Sequence, residues 1–183
     1  MSEVRISEEI VNFLESAQST AESVEVSAGG FSGNWPPPGR YEANVLGIQY
    51  HPGKMRDADC VICQASYSCR VTNDPNYDPE KILEFQGREL RLVPDFESVF
   101  TGDSNSGIRT ACRINWEEFI KMHALLGSMS VDDAKANIQN AVGATQNRLS
   151  EGTAPVAVII VKHNPGKSGG VFPEERLVDV VSV

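Results

Sequence analysis

Long apolar runs are missing from this chain of 183 residues. None approaches the roughly 18 to 20 residues that cross a bilayer as a helix. The longest, Pro155 to Val161, is the size of a strand. The opening Met1-Ser2-Glu3-Val4-Arg5 holds no apolar signal core and no cleavage site, so a cytoplasmic location without membrane contact is expected. Positive charge is scarce as well. Sixteen Lys and Arg stand against twenty-five Asp and Glu, a net charge of −9, which excludes a broadly basic nucleic-acid surface. The deficit is uneven. Residues 1–34 hold six Glu and one Arg (net −5), leaving −4 over the other 149 residues. A local basic groove in the body is compatible with that balance.

Histidine and cysteine are few, and their spacing excludes most site chemistry. Cys60, Cys63, Cys69 and Cys112 begin as C-x-x-C, but on a strand Cys60 and Cys63 point to opposite faces rather than toward one zinc ion. Buried thiols are the expectation, with no metal and no cofactor. Gly166-Lys167-Ser168 resembles part of a phosphate-binding loop, yet Val161 stands where the earlier glycine belongs and no helix follows. Gly102-Asp103-Ser104 lacks the glycines of a serine-protease nucleophile, and His51, His123 and His163 are isolated as bases. His123 falls within an apolar helical stripe, the place of a satisfied core histidine. Asp95 with Asp133-Ala134-Lys135 fails as a nuclease pair, because the second element falls in the first turn of a helix. A non-enzymatic protein is expected.

What is present reads as two parts. Residues 1–34 form an acidic N-terminal helix and flexible linker, and residues 35–183 a folded domain. Ser7 caps a helix over 8–18 whose stripe is Ile10, Phe13, Leu14 and Ala17. Ser19 to Asn34, rich in Ser, Gly and Glu, reads as the connector. The segment is expected either to compete with a ligand for a basic groove or to dock its stripe on another protein or subunit. Trp35-Pro36-Pro37-Pro38-Gly39 then leads into strands at 41–50, 60–72 and 83–93. Gly47 permits the first to curve, and Gly87 signals a bulge in the third. A long polar loop precedes helices at 116–126, capped by Asn115, and at 131–149, capped by Ser130. Strands at 155–163 and 176–183 close the chain. The order β-β-β-α-α-β-β is mainly β with a helical insertion, the sequence order of a five-stranded OB-fold barrel.

Such a barrel binds single strands through aromatic platforms and a basic groove. The candidates are His51, Lys54 and Arg56 on the first hairpin, Tyr67 and Arg70 on the second strand, and Phe85, Arg88 and Arg91 on the third. Lys162, Lys167 and Phe172 follow on the last hairpin. Tyr67 shares a face with Val61 and Val71, so a core position competes with the platform role, and Phe85 is ambiguous in the same way. Arg88 and Arg91 share a face only if Gly87 sits at a bulge.

Phe31 to Ala43, a proline-rich lead running into Gly39-Arg40-Tyr41, resembles the opening of small phage-encoded OB-fold single-stranded DNA-binding proteins. Phe85-Gln86-Gly87-Arg88-Glu89-Leu90 is similar to their third strand, and His163 to Val171 to their closing hairpin. The resemblance implies binding of single-stranded DNA in phage-type replication or recombination, within the host cytoplasm if the chain is phage-encoded. Replication or recombination proteins and a second copy of the chain are the further partners it implies. The chain departs from the pattern in ending on an apolar strand instead of an acidic tail. A protein-interaction or virion-assembly module on the same β-barrel is the alternative, favoured by the acidic balance.

Overall fold

The computed structural model describes residues 8–22, 35–165 and 171–181. Five antiparallel strands form one sheet in the order β3-β2-β1-β4-β5. These are β1 (Gly39–Met55), β2 (Ala58–Arg70), β3 (Ile82–Leu92), β4 (Val156–Pro165) and β5 (Val171–Val181). Between β3 and β4 lie α3 (Phe96–Val99), a 3-10 turn (Asp103–Asn105), α4 (Ser106–Gly127), α5 (Val131–Ala136) and α6 (Ile138–Glu151). Two short helices, α1 (Glu8–Ser16) and α2 (Gln18–Glu22), precede the sheet. The mixed α+β class and the order of strands around a helical insertion are as the sequence reading has them.

β1 is 17 residues long and serves two neighbours. Residues 39–43 pair with β4, and residues 43–55 pair with β2, with a register shift between Val45 and Gly47. That shift is the bend expected near Gly47, and the extra residue, Leu46, is left exposed. A second shift places Gly87 and Arg88 in a bulge opposite Ala65, between the Gln64–Glu89 and Ser66–Gln86 pairs. A Cβ on Gly87 would lie 2.7 Å from Tyr67 Cε2 and 3.0 Å from the Ala65 carbonyl, so the close approach requires glycine. The bulge turns Arg88 inward while Arg91 stays outward. The bulge ends at Arg88 and leaves regular alternation from Arg88 to Arg91, so the two arginines do not share a face.

β3 and β5 form no ladder, so the sheet is not closed. Side chains bridge the gap instead. Glu175 of β5, buried, accepts the Arg88 backbone N–H at 3.2 Å and the Tyr67 hydroxyl. Burial raises the Glu175 pKa, with the Tyr67 and Arg88 N–H donors opposing the shift. From α4, Asn115 joins the cluster by donating to the Arg91 carbonyl at 3.0 Å and accepting from the Arg88 guanidinium.

The polar loop expected before the first long helix is largely helical, since α4 begins at Ser106 rather than Trp116. Ile108, Cys112, Asn115 and Phe119 continue its inner stripe upstream at helical spacing. Asn115, read as a cap, is a buried interior residue whose amide serves the sheet. The helix expected over 131–149 is two helices. Ser130 caps the first through the Asp133 N–H at 3.0 Å, and Asn137 stops it and caps the second through the Asn140 N–H at 2.9 Å.

The N-terminal segment corrects two expectations. Residues 19–22, read as connector, are helical within α2, and the Ile10, Phe13, Leu14 stripe packs within its own chain. Ile10, Leu14, Ala17 and Ala21 are buried, and Phe13 stacks on Trp116 at 6.1 Å and 10°. Gln18 accepts the Ile138 N–H at 3.0 Å and donates to the Lys135 carbonyl at 2.6 Å, spanning the α5–α6 break. Thr20 accepts the Asp95 N–H at 3.0 Å. A helix this short is marginal alone, so its order derives from these contacts. Leu14→Ala should destabilise the protein by about 2–5 kcal/mol, read as a lowered urea midpoint. An unchanged midpoint would show that the segment contributes nothing to the fold.

Candidate nucleic-acid interface

Strand alternation sorts the sheet into an inner face against the helices and an outer face. The two aromatic candidates lie inside. Tyr67 is 2% exposed and Phe85 5%, stacked on each other at 5.4 Å and 27°, with Trp35 against Phe85 at 5.5 Å. Neither can offer a ring to a base in this fold. Tyr67 shares its face with Cys63, Ala65 and Cys69, and burial of this stripe against α4 is worth more than exposing it. Arg88 also leaves the candidate groove: it sits among Glu175, Glu118 and Asn115 in a small enclosed cavity lined by Tyr67, Leu90 and Met122. Burial lowers its pKa, and the neighbouring carboxylates of Glu118, Glu175 and Glu174 oppose that shift.

The remaining described candidate cations divide between the two ends of β1. At the β1–β2 turn, Lys54 pairs with Asp59 at 2.6 Å, Arg56 donates to Asn105 Oδ1 at 3.1 Å, and Arg91 pairs with Glu89 at 2.8 Å. His51 is exposed on the same hairpin. At the other end of β1, Arg70 pairs with Glu80 at 3.1 Å, and Lys162 is exposed on β4 opposite Glu174. Lys167 lies outside the described residues. Phe172 takes its register position in β5 opposite Asn164, and its side chain lies outside the description. The candidates therefore do not converge on one surface.

The second end holds residues that the sequence reading missed. An open groove of about 670 Å³ crosses β4, β1, β2 and the start of β3 there. Arg40 and Arg70 line it, with Asn44, Ser68 and Thr72 as hydrogen-bonding groups and Ile82 and Val156 as apolar ones. Ile82 is 53% exposed. Arg40 lies opposite Ile160, which lies opposite Arg176, so the two arginines stand in one row across β1, β4 and β5. Alternation around the buried Tyr41 and Glu175 predicts that Arg40 and Arg176 face outward. That β4 returns to pair with β1, which brings them together, is a long-range fact no local pattern carries.

The proline-rich lead shapes this end. The Tyr41 hydroxyl lies 2.6 Å from the Pro37 carbonyl and 2.7 Å from Asn73 Oδ1, while Asn73 Nδ2 donates to the Pro38 carbonyl at 2.9 Å. The lead and the β2–β3 loop are thereby tied together beside the groove. A Cβ on Gly39 would fall 2.2 Å from Asn73 Nδ2, so a side chain there would displace the Asn73 amide from its place beside the lead. Among the described residues no three His, Cys, Asp or Glu side chains are placed to hold a metal ion. Comparison with protein-family models, with curated proteins and with solved structures finds no match to this chain.

Proposed function

We propose that the outer groove binds single-stranded nucleic acid, DNA in the first instance, without catalysis, in replication or recombination. The observation that carries the reading is the groove itself. It has the volume of a ligand site and pairs Arg40 and Arg70 with apolar and hydrogen-bonding neighbours. Phosphates would lie along the arginines, and bases against Ile82, Val156 and the guanidinium planes, which stack on rings as aromatics do. The strand order also supports a partly open OB-type barrel, with a β1-β2-β3 meander and a β4–β5 hairpin returned beside β1. The Arg70–Glu80 pair is exposed on both sides, and exposed pairs hold weakly, so a phosphate can displace the carboxylate.

The second reading, a protein-interaction or assembly module, is favoured by one observation. Lys54, Arg70 and Arg91 each face a carboxylate, which lowers the potential that a polyanion would feel. Titration of fluorescent oligo-dT and matching duplex at two salt concentrations separates the readings. Under the first, oligo-dT is preferred, and Arg40→Ala and Arg70→Ala each flatten the log–log salt dependence by about 0.7. Absence of binding at low salt would sink it in favour of the second.

A further inference from the structure

We propose that the Glu175 carboxyl is a proton-operated latch on the β3–β5 seam. With its proton it holds the two unpaired strand edges together, and losing the proton lets the seam part and water enter.

β3 and β5 form no ladder, so side chains join their edges. Glu175 is 7% exposed and reaches from β5 to the Arg88 backbone N–H on β3 at 3.2 Å and to the Tyr67 hydroxyl on β2. A Cβ on Gly87 would fall 2.9 Å from Glu175 Oε2, so the bulge is shaped around that carboxyl. The Arg88 guanidinium from β3 and Glu118 from α4 line one cavity with it. On the other side β4 sets the apolar Val161 opposite Glu175. Glu174, its neighbour on β5, turns away and accepts from Asn164 Nδ2 at 2.7 Å. One guanidinium therefore stands against two carboxyl groups, Glu118 and Glu175. With Glu175 protonated the charges balance. Ionising it adds a second anion beside Leu90, Met122 and Leu177, where solvation is poor and the charge is costly. Burial raises the Glu175 pKa in keeping with that cost. Parting the seam hydrates the charge and breaks no backbone ladder. The open form titrates as an ordinary carboxyl and the closed form at the raised value. Opening is therefore promoted from the ordinary carboxylate range up to the raised value and levels off above it.

The test is amide exchange at Arg88 in the full chain between about pH 5 and pH 8, divided by the intrinsic base-catalysed rate. In wild type the opening equilibrium should rise by up to about tenfold per pH unit until Glu175 titrates. Glu175→Gln keeps an acceptor for the Arg88 N–H and does not ionise, so its opening should stay flat. Parallel pH dependence in wild type and variant overturns the proposal. The carboxyl carbon-13 shift of Glu175 in wild type serves as a second measurement that needs no variant to fold. Its titration should coincide with the pH at which Arg88 exchange levels off. An ordinary carboxylate titration, or Arg88 exchange that ignores it, overturns the latch.

Discussion

Acidification should weaken the fold steeply through one residue, His123, well before most carboxylates are protonated. Its ring is fully buried between α4, α6 and β1, and burial holds its pKa down at about 3. One neutral tautomer completes its hydrogen bonds. Thr145 gives its hydroxyl proton to the Ala141 carbonyl at 3.0 Å, so its oxygen accepts from His123 Nδ1 at 2.9 Å. Nε2 is then the acceptor for the Tyr50 hydroxyl at 2.8 Å. A proton on Nε2 would face that hydroxyl's own proton inside an apolar shell of Phe119 and Tyr50. The unfolded chain takes up a proton near pH 6.5 and the native chain does not. Stability from the neutral ring is complete above about pH 6.5 and is lost as the pH falls toward about 3, at roughly 1.4 kcal/mol per unit. Glu175 acts with the opposite sign. Its raised pKa favours the fold where the acid is neutral, below the ordinary carboxylate range, and that contribution is lost as the pH rises through the native value. Urea midpoints of wild type and His123→Gln between pH 7.5 and 4.5 isolate the histidine, because Glu175, His51 and His163 are common to both. The variant should start lower and fall less steeply. Parallel slopes would refute the assignment.

The same histidine shows where sequence reasoning reaches. Phe119, Ile120, Met122 and Leu126 mark the buried stripe of α4 by spacing alone, so His123 in that stripe reads correctly as core. Its partners do not, because Tyr50 lies 73 residues away and Thr145 22 residues away. Strand existence and order were legible for the same local reason, since alternation in Val61 to Val71 is a period-two signal. Three things were not. Asn115 has the composition and spacing of a cap, and only the Arg91 carbonyl across the interface explains why an amide is buried there. The α1 stripe reads as unpartnered because its partner, Trp116, is supplied by the same chain about a hundred residues later. The groove depends on β1 bending from β2 to β4, so Arg40 and Arg70 come to line it together only through pairings between distant segments. Alternation gives two faces without saying which one the helices cover, so Tyr67 and Phe85 fall on the covered face while Arg70 and Arg91 do not.

Phe85→Ala should therefore cost stability and spare binding. The ring is packed between Tyr67 and Trp35 with 5% of its surface exposed, and truncating a buried phenylalanine costs about 3–5 kcal/mol. Tyr67→Phe probes the adjoining polar contact. It removes the hydroxyl donor of Glu175 without opening a cavity, and a buried carboxyl that loses a donor costs about 1–3 kcal/mol. A stacking platform behaves in the reverse manner. Loss of one base–aromatic stack lowers affinity by about 1–3 kcal/mol while an exposed ring contributes little to the fold. Urea unfolding and oligo-dT titration on the same two variants distinguish the cases. The expected result is a large fall in unfolding midpoint for Phe85→Ala, a smaller one for Tyr67→Phe, and affinity of the folded protein within about twofold of wild type for both. A variant that keeps its midpoint and loses more than about fivefold in affinity would return that ring to the ligand. It would also require the β2–β3 inner face to open away from α4, which hydrogen exchange at Ala65 to Arg88 would register as faster amide exchange on binding.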